Sequence, residues 1–177
     1  MDFLDSVKED WNLLATWGVT VTLAYLLTPL LGANPLGLNY TVESQIVVMW
    51  FVLMGPPIAQ TFSRFLDDRN WKDLHLIWAV VVIAGLLGNV YGIASITDEM
   101  VLFISYYQKW FLLPAVAFGL SAYMLEGFSR KVYSVSAVLN GVYGAGLFAV
   151  PALAPLAFPV AALIQGVPMM VDWNHFR

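Results

Sequence analysis

Three amides, Asn89, Asn140 and Gln165, stand deep inside long apolar stretches of this sequence, and a fourth, Gln60, lies nearer the end of one. An amide carries donors and acceptors without charge. In an apolar setting its chemistry is hydrogen bonding, to a neighbouring helix or to a neutral or zwitterionic small molecule. Bonds between helices are the commoner use and contribute about 0.6 to 2 kcal/mol each. Gly55-Pro56-Pro57 interrupts another apolar stretch near its middle. Neither proline donates a backbone hydrogen bond, so a kink or break with freed carbonyls is expected there. Irregular backbone at membrane depth is tolerated where it is buried in protein or lines a cavity, and broken helices border binding sites in transporters. Trp17 and Trp50 also fall within apolar stretches instead of at their ends. Trp17, Trp50, Gly55, Pro56, Pro57, Asn89, Asn140 and Gln165 are therefore the candidate ligand-binding residues, forming an aromatic, partly polar pocket. A packed kink with ordinary core tryptophans is the competing reading.

Other chemistry finds little support. There is no cysteine, which removes disulfides, thiolate nucleophiles and thiolate metal sites. The two histidines, His75 and His175, flank apolar stretches, and no His-x-x-x-His or Glu-x-x-His spacing occurs, so no metal, haem or other cofactor is expected. Asp98, Glu99, Glu126 and Asp172 lie beside apolar stretches, where a lipid-active enzyme places carboxylates, but they do not cluster with His or Asn. No catalytic residue is assigned, and the reading leans away from an enzyme. The glycine-rich Gly141–Gly146 follows no strand and is no dinucleotide loop. A formal charge of -4 gives no footing for nucleic acid. The pI near 4.9 suits a high-salt cytoplasm, as in a halophile, or reflects ordinary variation.

The elements that position these residues follow from composition. Of 177 residues, 60% are hydrophobic and 11% charged, against roughly 25% charged in an average soluble domain. No charge occurs between Asp10 and Glu43, or between Lys131 and Asp172. Apolar runs of that length read as membrane spans. The expected fold is all-α, a single polytopic transmembrane domain over residues 1–177 with six helices in a bundle. Residues 1–10 are acidic, unlike a secretory leader, and carry Phe3, Leu4 and Val7 on one face, as a surface-lying amphipathic helix does. The spans are expected at about 11–31, 44–63, 74–96, 110–125, 132–150 and 154–171. Residues 97–109 are read as an interfacial segment, because Lys109 would otherwise sit within a helix. Val132–Val171 would reach ~60 Å as one helix, twice the hydrocarbon thickness, and must fold back at Pro151–Pro155.

Direction follows from Lys and Arg placement. With both termini cytoplasmic, Lys8, Arg64, Arg69, Lys72, Arg130, Lys131 and Arg177 lie inside and Lys109 alone outside. Trp11, Trp71 and Trp173 then mark the inner interface and Trp110 the outer one. Asn39-Tyr40-Thr41 is a glycosylation sequon in the first outer loop. No Asp, Glu, Lys or Arg falls inside an expected span, which disfavours proton or ion coupling.

Small residues recur at contact spacing, Ala84-x3-Gly88-x3-Gly92 and Ala137-x3-Gly141-x3-Ala145. Such faces let helices approach closely, within one chain or between copies. Gly88–Ala94 and Asn140–Gly146 resemble each other, a weak sign of internal repetition. The size, six spans and inward termini are similar to the substrate-binding membrane subunits of vitamin uptake transporters, a likeness of architecture without a residue motif. The leading expectation is a non-enzymatic, multi-pass subunit of the cell membrane, in contact with lipid bilayer, that binds or passes a small neutral or hydrophobic molecule. The alternatives are an accessory subunit, docked in a homo-oligomer or a larger membrane complex, and a lipid-active membrane enzyme.

Overall fold

The computed structural model describes residues 3–32, 42–68, 74–94, 100 and 103–175. Among them every long element is a helix and no strand occurs. Helix α1 is Phe3–Gly32, α2 is Val42–Asp68 and α3 is Leu74–Ala94. Helix α4 begins with a π-helical turn, Ile104–Gln108, and continues as Lys109–Met124. Helix α5 is Gly127–Ala149. A 3-10 turn, Pro151–Leu156, leads into α6, which comprises Ala157–Ala161, a second π turn Ala162–Gly166, and Val167–His175. Successive helices are neighbours, and α6 returns to pack on α1, closing the bundle.

Local chemistry sets the turns. Leu125 and Glu126 are extended, and Gly127 adopts φ +60, a left-handed conformation that a glycine takes without steric cost. The Arg130 guanidinium reaches back, its Nε donating to the carbonyls of Leu125 (2.8 Å) and Ala122 (3.3 Å), which fills acceptors left over at the end of α4. The α5–α6 hairpin turns where expected. Pro151 cannot continue α5, and the Tyr143 hydroxyl donates to the Leu153 carbonyl at 2.9 Å across the corner.

Four stretches are long and apolar enough to cross a membrane: Ser44–Leu66, Leu74–Gly92, Gly127–Ala149 and Pro151–His175. Ala15–Leu31 and Lys109–Met124 are shorter apolar helices. Leucines, valines and aromatic rings cover the outside, whereas Thr28, Asn89, Asn140, Gln165 and Asp172 are buried. Apolar without and polar within is the arrangement that fits an integral membrane protein, because lipid cannot satisfy a polar group.

The helices depart from several expected boundaries. The surface helix of residues 1–10 is not separate: α1 runs unbroken from Phe3. Helix α2 is continuous through Pro56 and Pro57. Proline's fixed φ is itself helical, and the lost N–H groups do not end a helix held among others. Residues 103–109, expected at the interface, are the first turns of α4, so Lys109 lies within a helix after all. Trp110 is a core residue and no interfacial marker. His75, at the start of α3, is buried as well. Asn39, Trp71, Asp98 and Glu99, together with the side chain of Trp11, lie outside the described residues.

Of the expected stripes only Gly88 makes a close approach, where a Cβ would lie 2.8 Å from Lys109 Nζ; the other tight crossings occur elsewhere. Ala84 and Ala145 are exposed, and a Cβ at Gly141 would meet nothing within 4 Å. At Gly166 in α6 a Cβ would instead overlap the Thr22 hydroxyl of α1 and lie 3.2 Å from the Gly18 carbonyl. At Gly18 it would lie 3.1 Å from Met169 Cβ. Gly166→Ala is therefore expected to cost about 1–3 kcal/mol of stability through overpacking. Gly141→Ala should be neutral or slightly stabilising. Thermal unfolding in detergent compares the two, and equal effects would place the tight crossing elsewhere.

Candidate functional site

The polar interior is built around one main-chain group. Pro114 has no N–H, so the carbonyl of Trp110, four residues earlier in α4, has no partner along its own helix. Two other helices supply one. Gln165 Nε2 of α6 donates to it at 2.7 Å, and the Tyr25 hydroxyl of α1 approaches it at 3.3 Å. The same hydroxyl donates to Gln165 Oε1 at 2.8 Å. Gln165 Nε2 also donates to Asn140 Oδ1 of α5 at 2.7 Å. Asn140 Nδ2 in turn donates to the Ser136 carbonyl at 2.8 Å, and at 3.5 Å to the carbonyl of Ile164. Ile164 is four residues before Pro168, so this second acceptor is also one that a proline has freed. Both amides thus spend two donors and an acceptor inside the protein.

The Trp110 side chain extends the network the other way. Its indole N–H donates to Asn89 Oδ1 of α3 at 3.1 Å. Its ring stacks on Trp50 of α2 with centroids 4.6 Å apart, and Tyr25 meets both rings edge-on. Trp50 Nε1 donates to Thr28 Oγ1 at 3.1 Å, and Thr28 passes its own proton to the Ala24 carbonyl at 2.7 Å. Gly85 makes room for Trp110: a Cβ there would lie 2.7 Å from the ring. One residue before it, Lys109 crosses Gly88 and donates from Nζ to Asn89 Oδ1 at 2.6 Å, with the ammonium 5.5 Å from the Trp110 ring centre. The charge is stabilised by that carbonyl and by the ring face.

All six helices therefore meet in one layer, through Tyr25 and Thr28, Trp50, Asn89, Lys109 and Trp110, Asn140, and Gln165. Of the expected candidates, Trp50, Asn89, Asn140 and Gln165 are joined here. Trp17 is buried but two turns away on α1, and its Nε1 has no partner among the described residues. Gly55 sits apart, in a small apolar cleft of about 190 Å³ with Phe51, Ile58 and Leu87, and Pro56 faces outward. Tyr25, Lys109, Trp110 and Pro114 were not among the candidates. The readable signal was the four-residue step from Trp110 to Pro114, which marks a freed carbonyl.

Two further features lie outside this layer. Gln108, in the first π turn, is fully buried, and neither of its amide atoms has a hydrogen-bond partner among the described residues. At the other end of the bundle, the buried Asp172 of α6 accepts the Ser129 hydroxyl of α5 at 2.5 Å. Among the described residues no three His, Asp or Glu side chains come together to hold a metal ion. An open groove of about 440 Å³ lies on the flank between α5 and α6, walled by Val132, Val135, Leu139, Leu163, Val167 and Val171.

No protein-family model, no curated protein and no solved structure matches this chain.

If Pro114 and Gln165 are coupled through the Trp110 carbonyl, their variants are non-additive. Gln165→Leu strands that buried acceptor and is expected to cost about 1–3 kcal/mol. Pro114→Ala returns an N–H to the carbonyl, so in that background Gln165→Leu should cost about 1 kcal/mol less. A double-mutant cycle on unfolding in detergent measures the difference. Strict additivity would show that the two residues do not share a partner.

Proposed function

We propose that the chain is a six-span protein of the cell membrane, with both termini cytoplasmic, that binds a small hydrophobic molecule on the flank of its bundle. The observation that carries this reading is the α5–α6 groove, open to the outside and walled almost entirely by aliphatic side chains. A site of that character takes up apolar matter from the surrounding bilayer. The interior is a poor competitor. Asn140, Gln165 and the Asn89 carbonyl are committed to other helices, and a ligand there would have to displace bonds of 2.6 to 3.1 Å. Six spans are supported by the shared layer. Tyr25 and Trp110 belong to the two shorter apolar helices, yet they meet Trp50, Asn89 and Gln165 of three others, and Gln165 bonds Asn140 of the remaining one, which supports one depth for all six. Seven Lys and Arg residues against one support the orientation.

A second reading, an accessory subunit, is favoured by one detail. A Cβ at Gly119 of α4 or Gly141 of α5 would meet nothing within 4 Å, which leaves bare backbone where another membrane helix packs closely.

Purification in mild detergent followed by mass spectrometry separates the readings. The groove reading expects a co-purifying hydrophobic molecule that is lost in Leu139→Trp and Leu163→Trp, which fill the groove, but kept in Asn140→Ala, which lowers stability. Loss in Asn140→Ala or Trp50→Ala alone would return the site to the interior. A stoichiometric protein partner without a small molecule would favour the accessory subunit. A reporter fused to the C-terminus should read as cytoplasmic, and an external signal would overturn the orientation.

A further inference from the structure

We propose that the occupant of the α5–α6 groove is an anionic glycerophospholipid, with one acyl chain along the groove and its phosphate headgroup on Lys131. This identity rests on the groove being the binding site, as proposed above. Lys131 is the groove's one charged lining residue, and it stands at one end. From there the α5 wall runs to Leu139, eight residues or ~12 Å at helical rise, and the α6 wall runs equally far, between Val171 and Leu163. The groove thus follows the helix axes, as an acyl chain in the bilayer does. Its α6 wall is the irregular stretch of that helix: Leu163 and Ile164 belong to the π turn, and Pro168 follows.

The polar groups around the groove sort the ligand. Ser136, its one hydroxyl, donates to the Val132 carbonyl at 3.1 Å, so the walls offer a guest no free donor at depth. A hydrocarbon chain fits there and a polar solute does not. Arg130 is not among the groove's lining residues and turns its Nε toward the carbonyls of Leu125 and Ala122. Asp172, beside the groove residue Val171, is buried on Ser129. Lys131 is exposed, and no acid pairs with it among the described residues. An ammonium one turn inside α5 extends its stem along apolar surface toward the headgroup level. An apolar slot ending in one uncompensated cation is complementary to an amphiphile with hydrocarbon at one end and a net negative head at the other.

The test titrates the full-length protein in detergent with phosphatidylglycerol and with phosphatidylcholine of the same acyl chains, counting bound lipids by native mass spectrometry. The wild type is expected to prefer phosphatidylglycerol by about fivefold, the contribution of one lysine at an anionic surface. Lys131→Met should abolish the preference while phosphatidylcholine still binds, and Lys131→Arg should keep it. Leu139→Trp and Leu163→Trp, at exposed positions on opposite walls, should lose both lipids while circular dichroism and elution stay as in the wild type. If Lys131→Met keeps the preference, or the wild type shows none, the headgroup assignment is overturned and the groove reading stands. If both tryptophan variants keep both lipids, the groove reading itself falls, and this inference with it.

Discussion

A single carbonyl oxygen, that of Trp110, has to find a hydrogen bond away from its own helix because Pro114 offers no N–H, and much of the bundle's geometry follows from how that need is met. Water is not at hand in a lipid-facing bundle, so an unpaired carbonyl costs several kcal/mol. Gln165 meets the requirement from α6, and the Tyr25 hydroxyl of α1 holds that amide by donating to its oxygen. Gln165 then has a second amide proton to place, and Asn140 of α5 takes it. Asn140 closes the series on main-chain carbonyls, among them that of Ile164, freed by Pro168. Each partner recruits the next, so that the amide protons of Gln165 and Asn140 all find acceptors. Such a network is stable only when complete, which makes it a device for specifying one arrangement of six helices.

The aromatic half of the same layer works by shape. The rings of Trp50 and Trp110 stack at 4.6 Å, and Tyr25 closes on them edge-on. This needs glycine opposite: Gly85 admits the Trp110 ring, and Gly88 admits the Lys109 stem. A larger residue at either position would push α3 from α4 and stretch the bond from Trp110 to Asn89. Close approach at Gly18 and Gly166 does the equivalent for α1 and α6. Hydrogen bonding and small-residue contact thus act at the same crossings, and each keeps the other within range.

A core so fully committed has a consequence for function. It holds Lys109 and Asp172, two ionisable groups, but each is engaged by a neutral neighbour, Asn89 or Ser129. The amides that resemble a ligand site use their hydrogen bonds to hold helices together. The outer surface differs: there the π turn and Pro168 of α6 border an apolar groove that begins at Lys131. Helix α6 therefore serves both sides of the bundle: its inner face carries Gln165, and its outer face shapes the groove.

Much of this was legible in the residues alone. Long charge-free runs can only be satisfied as helices in lipid, so the all-helical class and the apolar helices followed from composition. The fold-back at Pro151 followed from length. Asn89, Asn140, Gln165 and Trp50 were recognisable as residues needing partners, since an amide or indole in an apolar run cannot satisfy all its polar atoms within its own helix. What the sequence left open was who those partners are. Lys109 was taken for an interfacial residue because an isolated ammonium in a span is costly; Asn89, twenty residues away, lowers that cost across a helix interface that no local pattern announces. The Pro56-Pro57 pair predicts a break, yet that helix continues, whereas the single Pro114 frees the carbonyl that organises the core. Composition and length decide which segments become helices because backbone satisfaction is local. Which carbonyl is answered, and by whom, is decided between helices, and only the tertiary structure settles it.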